Sequence, residues 1–324
     1  MSHLTPVSWD PPADAVELDR VTAALADGGL DVRADQPLHR WTTLGVGGPA
    51  RAYVEPRDPQ ELQLVMRALA TTEADAVPLL VLGRGSNLLV ADTGWPGLVL
   101  RLGAGFKWHR RDGRSVSAGA GLAMPALAAW VAAEGLAGLE FAAGIPATVG
   151  GSVRMNAGAH GGQTADLLET VELTAPDRPG GWQARRADLA FGYRRSALPA
   201  RSVVVAARWT LRPDEPASIR SRLDEHRAWR RATQPLRQRN CGSVFTNPVG
   251  ESAGRLVEAA GLKGRRCGGA QVSEKHANFI VVDPGTFAAD VRTLIGEVRG
   301  LVHAAGGPLL EPEVRLVGHF EGSS

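Results

Sequence analysis

The chain has 324 residues, 44% hydrophobic and 22% charged, which is the texture of an ordinary globular protein with room for two or three buried cores. A formal net charge of +2 argues against nucleic acid or an anionic membrane as partner, and two cysteines, Cys241 and Cys267, exclude a disulfide framework. Only three of its 36 basic residues are lysines (Lys107, Lys263, Lys275), so a single arginine carries little weight by itself.

Met1 to Arg20 shows no basic start followed by an apolar stretch, so no export signal is expected. The longest weakly charged region, Gly113 to Gly151, is interrupted by Glu134, Glu140, Pro125 and Pro146 and does not read as a membrane span. A cytoplasmic protein is the expectation.

Residues 14–29 predict a surface helix. Asp58-Pro59 then starts a second helix, with an Asx cap and proline at its first position, and Leu62, Val65, Met66 and Leu69 recur at helical spacing. Leu79–Leu82 reads as a buried strand feeding a glycine loop, which completes a small α/β unit over residues 1–97. Residues 98–215 change to short β-type runs: Gly97–Leu102, Ser115–Ala118, Thr170–Thr174 and Ser202–Thr210, with one helix at Ala123–Glu134. Pro213–Pro216 reads as a linker. The third region, 216–324, opens with an arginine-rich helix, Ala217–Arg231. It continues with a helix at Ala253–Ala260 closed by Gly261, a strand at Asn278–Val282 and a helix at Thr286–Ala304. Phe287, Val291, Leu294, Ile295, Val298 and Val302 are placed on one face of that last helix. The fold class is α+β.

Three glycine-rich segments punctuate this frame. Gly45-Val-Gly-Gly-Pro-Ala50 fits the dinucleotide pattern formally, but Pro49 and the β-type run Arg51–Val54 follow it, so no helix opens on a pyrophosphate. Gly83-Arg84-Gly85-Ser86-Asn87, after a strand, suits a phosphate loop and equally suits a tight turn. Gly144-Ile145-Pro146-Ala-Thr148-Val-Gly150-Gly151-Ser152 and Asn156-Ala157-Gly-Ala-His-Gly-Gly162 suggest backbone packed against a large flat ligand such as a flavin.

Cys241-Gly-Ser-Val-Phe-Thr-Asn-Pro248 sets one hydroxyl, Ser243, in a Gly-flanked turn. With Phe191-Gly-Tyr-Arg194 upstream and Leu310-Glu-Pro-Glu-Val-Arg315 downstream, it supplies a hydroxyl, an arginine and a carboxylate. That set is sufficient to stabilise and protonate a carbanion beside a carboxylate. Singly, each segment is compatible with an ordinary turn. No His/Cys/Asp cluster has metal-ligand spacing, so no metal is expected. Cys241, next to the Ser243 turn, is a candidate thiol-reactive group.

In order along the chain, Thr43-Leu-Gly-Val-Gly-Gly48, Gly83–Asn87, Gly144–Gly151, Asn156-Ala-Gly158, Phe191–Arg194, Gly242-Ser-Val-Phe245, Gly268-Gly-Ala-Gln-Val-Ser-Glu-Lys-His276 and Glu311-Pro-Glu-Val-Arg315 occur at sensible spacing. The set resembles the UDP-N-acetylenolpyruvoylglucosamine reductase family from about Leu38 to Gly318. The resemblance implies an FAD-binding domain of the vanillyl-alcohol-oxidase type, made of two α+β subdomains, and a C-terminal α+β substrate-binding domain whose tail returns to the first subdomain. It implies non-covalent FAD, NADPH as hydride donor, and UDP-N-acetylglucosamine enolpyruvate as substrate in peptidoglycan precursor synthesis.

The resemblance also distributes the site residues. Ser243 takes the place of the proton donor, and Arg194 and Glu313 that of the pair stabilising the intermediate. Gly83, Arg84, Gly85, Ser86, Asn87, Leu88, Gly144, Ile145, Pro146, Thr148, Gly150, Gly151, Asn156 and Ala157 fall to the cofactor. Tyr193, Asn247, Lys275 and His276 fall to the substrate, and the arginine run Arg220–Arg239 is either a solvated face or a diphosphate contact. The chain departs from the family at His160, where an aromatic is common, and at Ala147, where glycine is common. With only Tyr53 and Tyr193 as tyrosines, it is similar to the branch without a tyrosine-bearing substrate loop. Two other readings stay open: a flavin oxidase with the cofactor tethered at His160 or a cysteine, and a non-catalytic sugar-nucleotide-binding protein.

Overall fold

A computed structural model of the chain describes residues 14–73 and 76–320. Residues 1–13, most of the segment in which no export signal is expected, lie outside the described residues. Asp14 caps helix α1 (Ala15–Asp27) by accepting from the amides of Val16 and Glu17. Strands β1 (Val32–Pro37) and β2 (Pro49–Val54) pair antiparallel, and β2 confirms that a strand follows the Gly45 segment. Helix α2 (Pro59–Ala70) begins where its cap predicts, with Asp58 accepting from the Glu61 amide. Leu62, Val65, Met66 and Leu69 are buried with Leu18, Val21 and Leu25 of α1, which fixes both helices on one face of the sheet.

Strands β3 (Leu79–Val81), β4 (Leu88–Val90) and β5 (Trp95–Leu100) follow. The first sheet has the order β1-β2-β5-β3. The strand expected to be buried, β3, is therefore an edge, and Val81 is exposed on it. That open edge forms one wall of the cleft described below. β5 lies wholly in this sheet and runs across residues 97 and 98.

The second sheet is five-stranded and antiparallel. Its order is Arg178–Arg185, Leu168–Ala175, Val203–Thr210, β7 (Ser115–Gly119) and β6 (His109–Asp112). Both edge strands escaped sequence reading for a physical reason. Arg178–Arg185 contains Pro179, Gly180 and Gly181, tolerated only where a ladder ends, and β6 is polar throughout, with Arg110, Arg111 and Asp112, and exposed. Helix α3 (Met124–Ala133) and the short helix α4 (Val149–Arg154) pack against this sheet, α4 starting at the Thr148 cap inside the glycine-rich segment. Pro213, expected to open a linker, instead pairs with Leu136, next to the Arg212–Ala137 pair.

Helix α5 (Pro216–Thr233) leads into a four-stranded antiparallel sheet, with helices α6 (Ala253–Ala259) and α7 (Ala288–Ala304) packed on it. Val291, Leu294, Ile295, Val298 and Val302 of α7 are buried as their spacing predicts. Phe287 is not: it occupies the N-cap position and is 64% exposed. The first two amides of α7 are satisfied by Asp92, whose two carboxylate oxygens accept from Ala288 and Ala289 at 2.8 and 2.9 Å. The strand Arg315–Val317 pairs parallel with β4, so the end of the chain sits beside the first sheet. Among the described residues no helix is long and apolar enough to cross a membrane.

Candidate active site

A cleft opens between the first two sheets. Val81, Gly83 and Arg101 line one side, and Gly121, Gly151 and Arg154 line the other. The glycines set how close the walls stand. A Cβ on Gly83 would lie 2.8 Å from the Thr148 hydroxyl, so the loop after β3 and the cap of α4 touch backbone to side chain. Gly85 has φ +59°, and a Cβ there would lie 2.4 Å from the Trp41 carbonyl. Gly85→Ala is expected to loosen this loop and lower the flavin-to-protein ratio of the purified protein; full occupancy with an unshifted melting temperature would count against it.

The charge in the cleft calls for an anion. Arg154 donates to the carbonyls of Leu198, Pro199 and Ser202. Burial, reinforced by Arg315, pushes its guanidinium down to about 10. Desolvation of its guanidinium also lowers Arg315, although the residue as a whole is exposed. Among the described residues neither forms an ion pair with a carboxylate; Arg154 is half-buried and Arg315 exposed, so together they leave a positive potential that favours an anionic ligand. Backbone-lined walls for a flat ring and cations for a diphosphate fit FAD. Sequence reading missed Arg154 because it lies among the glycines as one more arginine of an arginine-rich chain.

The remaining cofactor residues divide by what their side chains do. Gly83, Thr148, Gly150 and Gly151 line the cleft. Arg84 is exposed, while Ile145 and Pro146 are half-buried. Gly144 has a specific neighbour: a Cβ there would lie 2.4 Å from the Cδ of Arg230, a half-buried arginine of α5 whose Nε is buried without a hydrogen-bond partner. Asn156 is buried with φ +42°, and its amide is spent on the protein. It donates to Gln163 and to the Gly192 carbonyl and accepts from the Ala165 amide. Ala157 continues that fastening by accepting from Thr164. Asn87 donates to the Glu313 carbonyl at 3.1 Å and accepts from the Arg315 amide, while Leu88 pairs with Arg315. The loop carrying Ser86 thus meets both the Glu313 strap and Gly242, where a Cβ would lie 3.9 Å from the Ser86 carbonyl oxygen.

Those contacts bring the three catalytic candidates to one place. Val244, the residue after Ser243, accepts from the Glu313 amide at 2.7 Å. Arg194 Nε donates to Glu313 Oε1 at 3.0 Å, and its Nη2 donates to the Gly158 carbonyl at 2.8 Å. Arg194 holds φ +56°, a left-handed backbone that disfavours a long side chain and persists because the Gly192–Arg195 bridge closes the turn. Burial raises the Glu313 carboxyl above the usual carboxylate range, and Arg194 only partly opposes it. Ser243 is half-buried, and among the described residues its hydroxyl has no hydrogen-bond partner.

The four substrate candidates are less uniform. Tyr193 is 52% exposed beside Arg194, whose guanidinium carbon lies 4.9 Å from the ring centre. Asn247 accepts from the Ala253 amide, so its side chain caps α6. Lys275 is exposed and donates to the Arg231 carbonyl at the end of α5. His276 is driven toward the neutral form by burial and accepts from the Asn278 amide, so it brings no positive charge at neutral pH. The arginine-rich helix is neither wholly solvated nor free: Arg222 pairs with Glu140 and Asp214, and Arg227 with Asp224. His160, stacked 4.0 Å from His226 with its ring nearly parallel, packs on the same helix. Cys241 is no reactive thiol, because burial pushes it up to about 12.

Residues 50–177 match the family described as FAD binding domain, and residues 234–317 match UDP-N-acetylenolpyruvoylglucosamine reductase, C-terminal domain. The chain is 45% identical over 304 residues to UDP-N-acetylenolpyruvoylglucosamine reductase 2 of Symbiobacterium thermophilum, covering 93% of this chain and 96% of the relative. It is 47% identical over 292 residues to the reductase of an Anaeromyxobacter species, covering 90% of each. The crystal structure of the reductase from Thermus caldophilus superposes with a TM-score of 0.76 at 38% identity, covering 89% of this chain and 98% of that one. With likeness of this depth across both ligand-binding regions, the chain belongs to the UDP-N-acetylenolpyruvoylglucosamine reductase family.

Proposed function

We propose that this protein reduces the enolpyruvyl group of UDP-N-acetylglucosamine enolpyruvate to the lactyl ether of UDP-N-acetylmuramate, a cytoplasmic step of peptidoglycan precursor synthesis. FAD, bound non-covalently in the cleft and reduced by NADPH, supplies the hydride that reaches the methylene carbon. The observation that carries the reading is the Arg194–Glu313 pair fastened one residue from Ser243.

The chain's own residues must handle the charge that hydride addition leaves. That charge spreads from the adjacent carbon into the substrate carboxylate. Arg194 keeps Nη1 free of protein partners among the described residues, so it can donate to a carboxylate oxygen while Nε stays on Glu313. Glu313, whose carboxyl burial raises above its ordinary value, offers a second donor when it carries its proton, from the oxygen Arg194 does not use. Ser243 then gives its proton to the carbon, and water restores the hydroxyl. A serine hydroxyl is a very weak acid, so this transfer works only against a strongly basic enolate. Tyr193 and Lys275 are exposed and are assigned to the sugar nucleotide, together with Asn247 and His276 through their turns.

The test is stoichiometric. One NADPH oxidised per UDP-N-acetylmuramate formed, identified by mass, is the expected result. NADPH oxidation that ignores the enolpyruvyl sugar nucleotide would overturn the assignment. Flavin released by denaturation is expected, whereas flavin retained on the polypeptide would favour the tethered oxidase.

A further inference from the structure

Asn278 stands out among buried polar groups that no role so far explains, being 4% exposed between the Ser243 turn and the last sheet. Its backbone is fixed first. Ser273 Oγ accepts from the amides of Lys275 and His276, the Ser273 amide donates to the Phe279 carbonyl, and the Phe279 amide donates to the His276 carbonyl. From this closed turn Asn278 makes three bonds to one segment. Its carbonyl accepts from Val244 N at 2.9 Å, its Oδ1 accepts from Phe245 N at 2.9 Å, and its Nδ2 donates to the Phe245 carbonyl at 2.8 Å.

A primary amide carries the same donor and acceptor as a peptide group. Asn278 therefore serves residues 244–245 as a strand neighbour in a place where no strand continues. The opposite side of the segment is taken by the strap before Arg315: Val244 O accepts from Glu313 N, Phe245 bridges Pro312, and Thr246 N donates to Glu311 O. Val244 and Phe245 thus lie between Asn278 and the Glu313 strap, with Ser243 on the end. A shift of this segment moves the serine hydroxyl and the Glu313 carboxyl together.

We infer that Asn278 is a positioning residue for the protonation step, setting Ser243 against Glu313 through Val244 and Phe245. The inference rests on Ser243 as proton donor. It concerns only the step in which substrate consumes the hydride; reduction by NADPH needs neither Ser243 nor Glu313.

Aspartate offers a discriminating replacement. Ionised, it places a carboxylate against the Phe245 carbonyl; protonated, it is isosteric with asparagine and restores the donor. Asn278→Ala and Asn278→Asp are to be compared with the unsubstituted protein in anaerobic stopped flow, following flavin reduction by NADPH and reoxidation by UDP-N-acetylglucosamine enolpyruvate separately. Displacement of the pair by about 1 Å should slow reoxidation by Asn278→Ala roughly 10²-fold, with reduction by NADPH unchanged. For Asn278→Asp, the reoxidation rate divided by that of the unsubstituted protein should rise as pH falls. The division removes the titration of Glu313 and His276, which face the same segment and turn, and of Glu258 and Lys263 near His276.

If Asn278→Ala does not fold, the Asn278→Asp ratio alone decides. A ratio that stays flat with pH, or two half-reactions that fall in step, overturns the proposal. Ser243→Ala in the same assay separates the two levels. Unimpaired reoxidation there removes the proton donor and this inference with it. Impaired reoxidation in Ser243→Ala beside an unimpaired Asn278→Ala removes this inference alone.

Discussion

Ser243→Ala is expected to keep reduction of the bound flavin by NADPH and to slow its reoxidation by UDP-N-acetylglucosamine enolpyruvate by about 10²–10⁴-fold, the usual weight of a positioned proton donor. The substitution removes a hydroxyl that has no protein partner among the described residues, so nothing buried is left unsatisfied. Neighbouring Gly242, at φ +78°, and the Val244 bond to Glu313 keep the turn in place. The melting temperature should therefore stay close to that of the unsubstituted protein. Rapid-mixing absorbance resolves the two half-reactions. Reoxidation at the original rate would remove Ser243 from the chemistry.

Glu313→Ala is expected to lower the same step by about 10²–10³-fold, the cost of deleting one donor aimed at developing charge. Glu313→Gln is the sharper variant, because an amide keeps a donor that no longer titrates. Burial raises the Glu313 carboxyl, so the protonated, donating form persists above the ordinary carboxylate range and is lost as pH rises through the raised value. Reoxidation by the unsubstituted protein should fall along that alkaline limb, and Glu313→Gln should lack the limb. Stability follows the same sign. A carboxyl whose pKa folding has raised contributes fully below its unfolded value, and the contribution disappears as pH rises through the folded value. Glu313→Gln should accordingly gain in relative melting temperature toward alkaline pH. An unchanged pH profile in Glu313→Gln would sink the protonated-carboxyl role.

The sequence carried whatever depends on neighbours within a few residues. Asp58-Pro59 announced α2, and the spacing of Val291 through Val302 announced α7, because caps and helical faces are local. Phe287 was misplaced because periodicity does not say where a helix begins; an N-cap residue points away from the face its spacing suggests. The two edge strands of the second sheet were invisible because an edge tolerates Pro179, Gly180 and the charges of His109–Asp112.

In the site, Arg194, Ser243 and Glu313 were legible only as parts of ordered motifs. Nothing local marks the Arg194–Glu313 bond, which spans 119 residues. Asn278 and Asp92 gave no signal, since their partners lie 33 and 196 residues away. Asn156 is expected at the cofactor and Asn247 at the substrate, and their side chains bond the Gly192 carbonyl and the Ala253 amide, long-range fastenings that the residue types alone do not announce.

In the proposed reaction one flavin serves two half-reactions, and the second needs Ser243, Arg194 and Glu313. The most direct measurement is anaerobic. The purified protein is reduced with a single equivalent of NADPH, UDP-N-acetylglucosamine enolpyruvate is added, and flavin absorbance is followed while product is identified. Prompt return of the oxidised spectrum, with one UDP-N-acetylmuramate per flavin, is the expected result. A flavin that NADPH reduces and this substrate leaves reduced would contradict it.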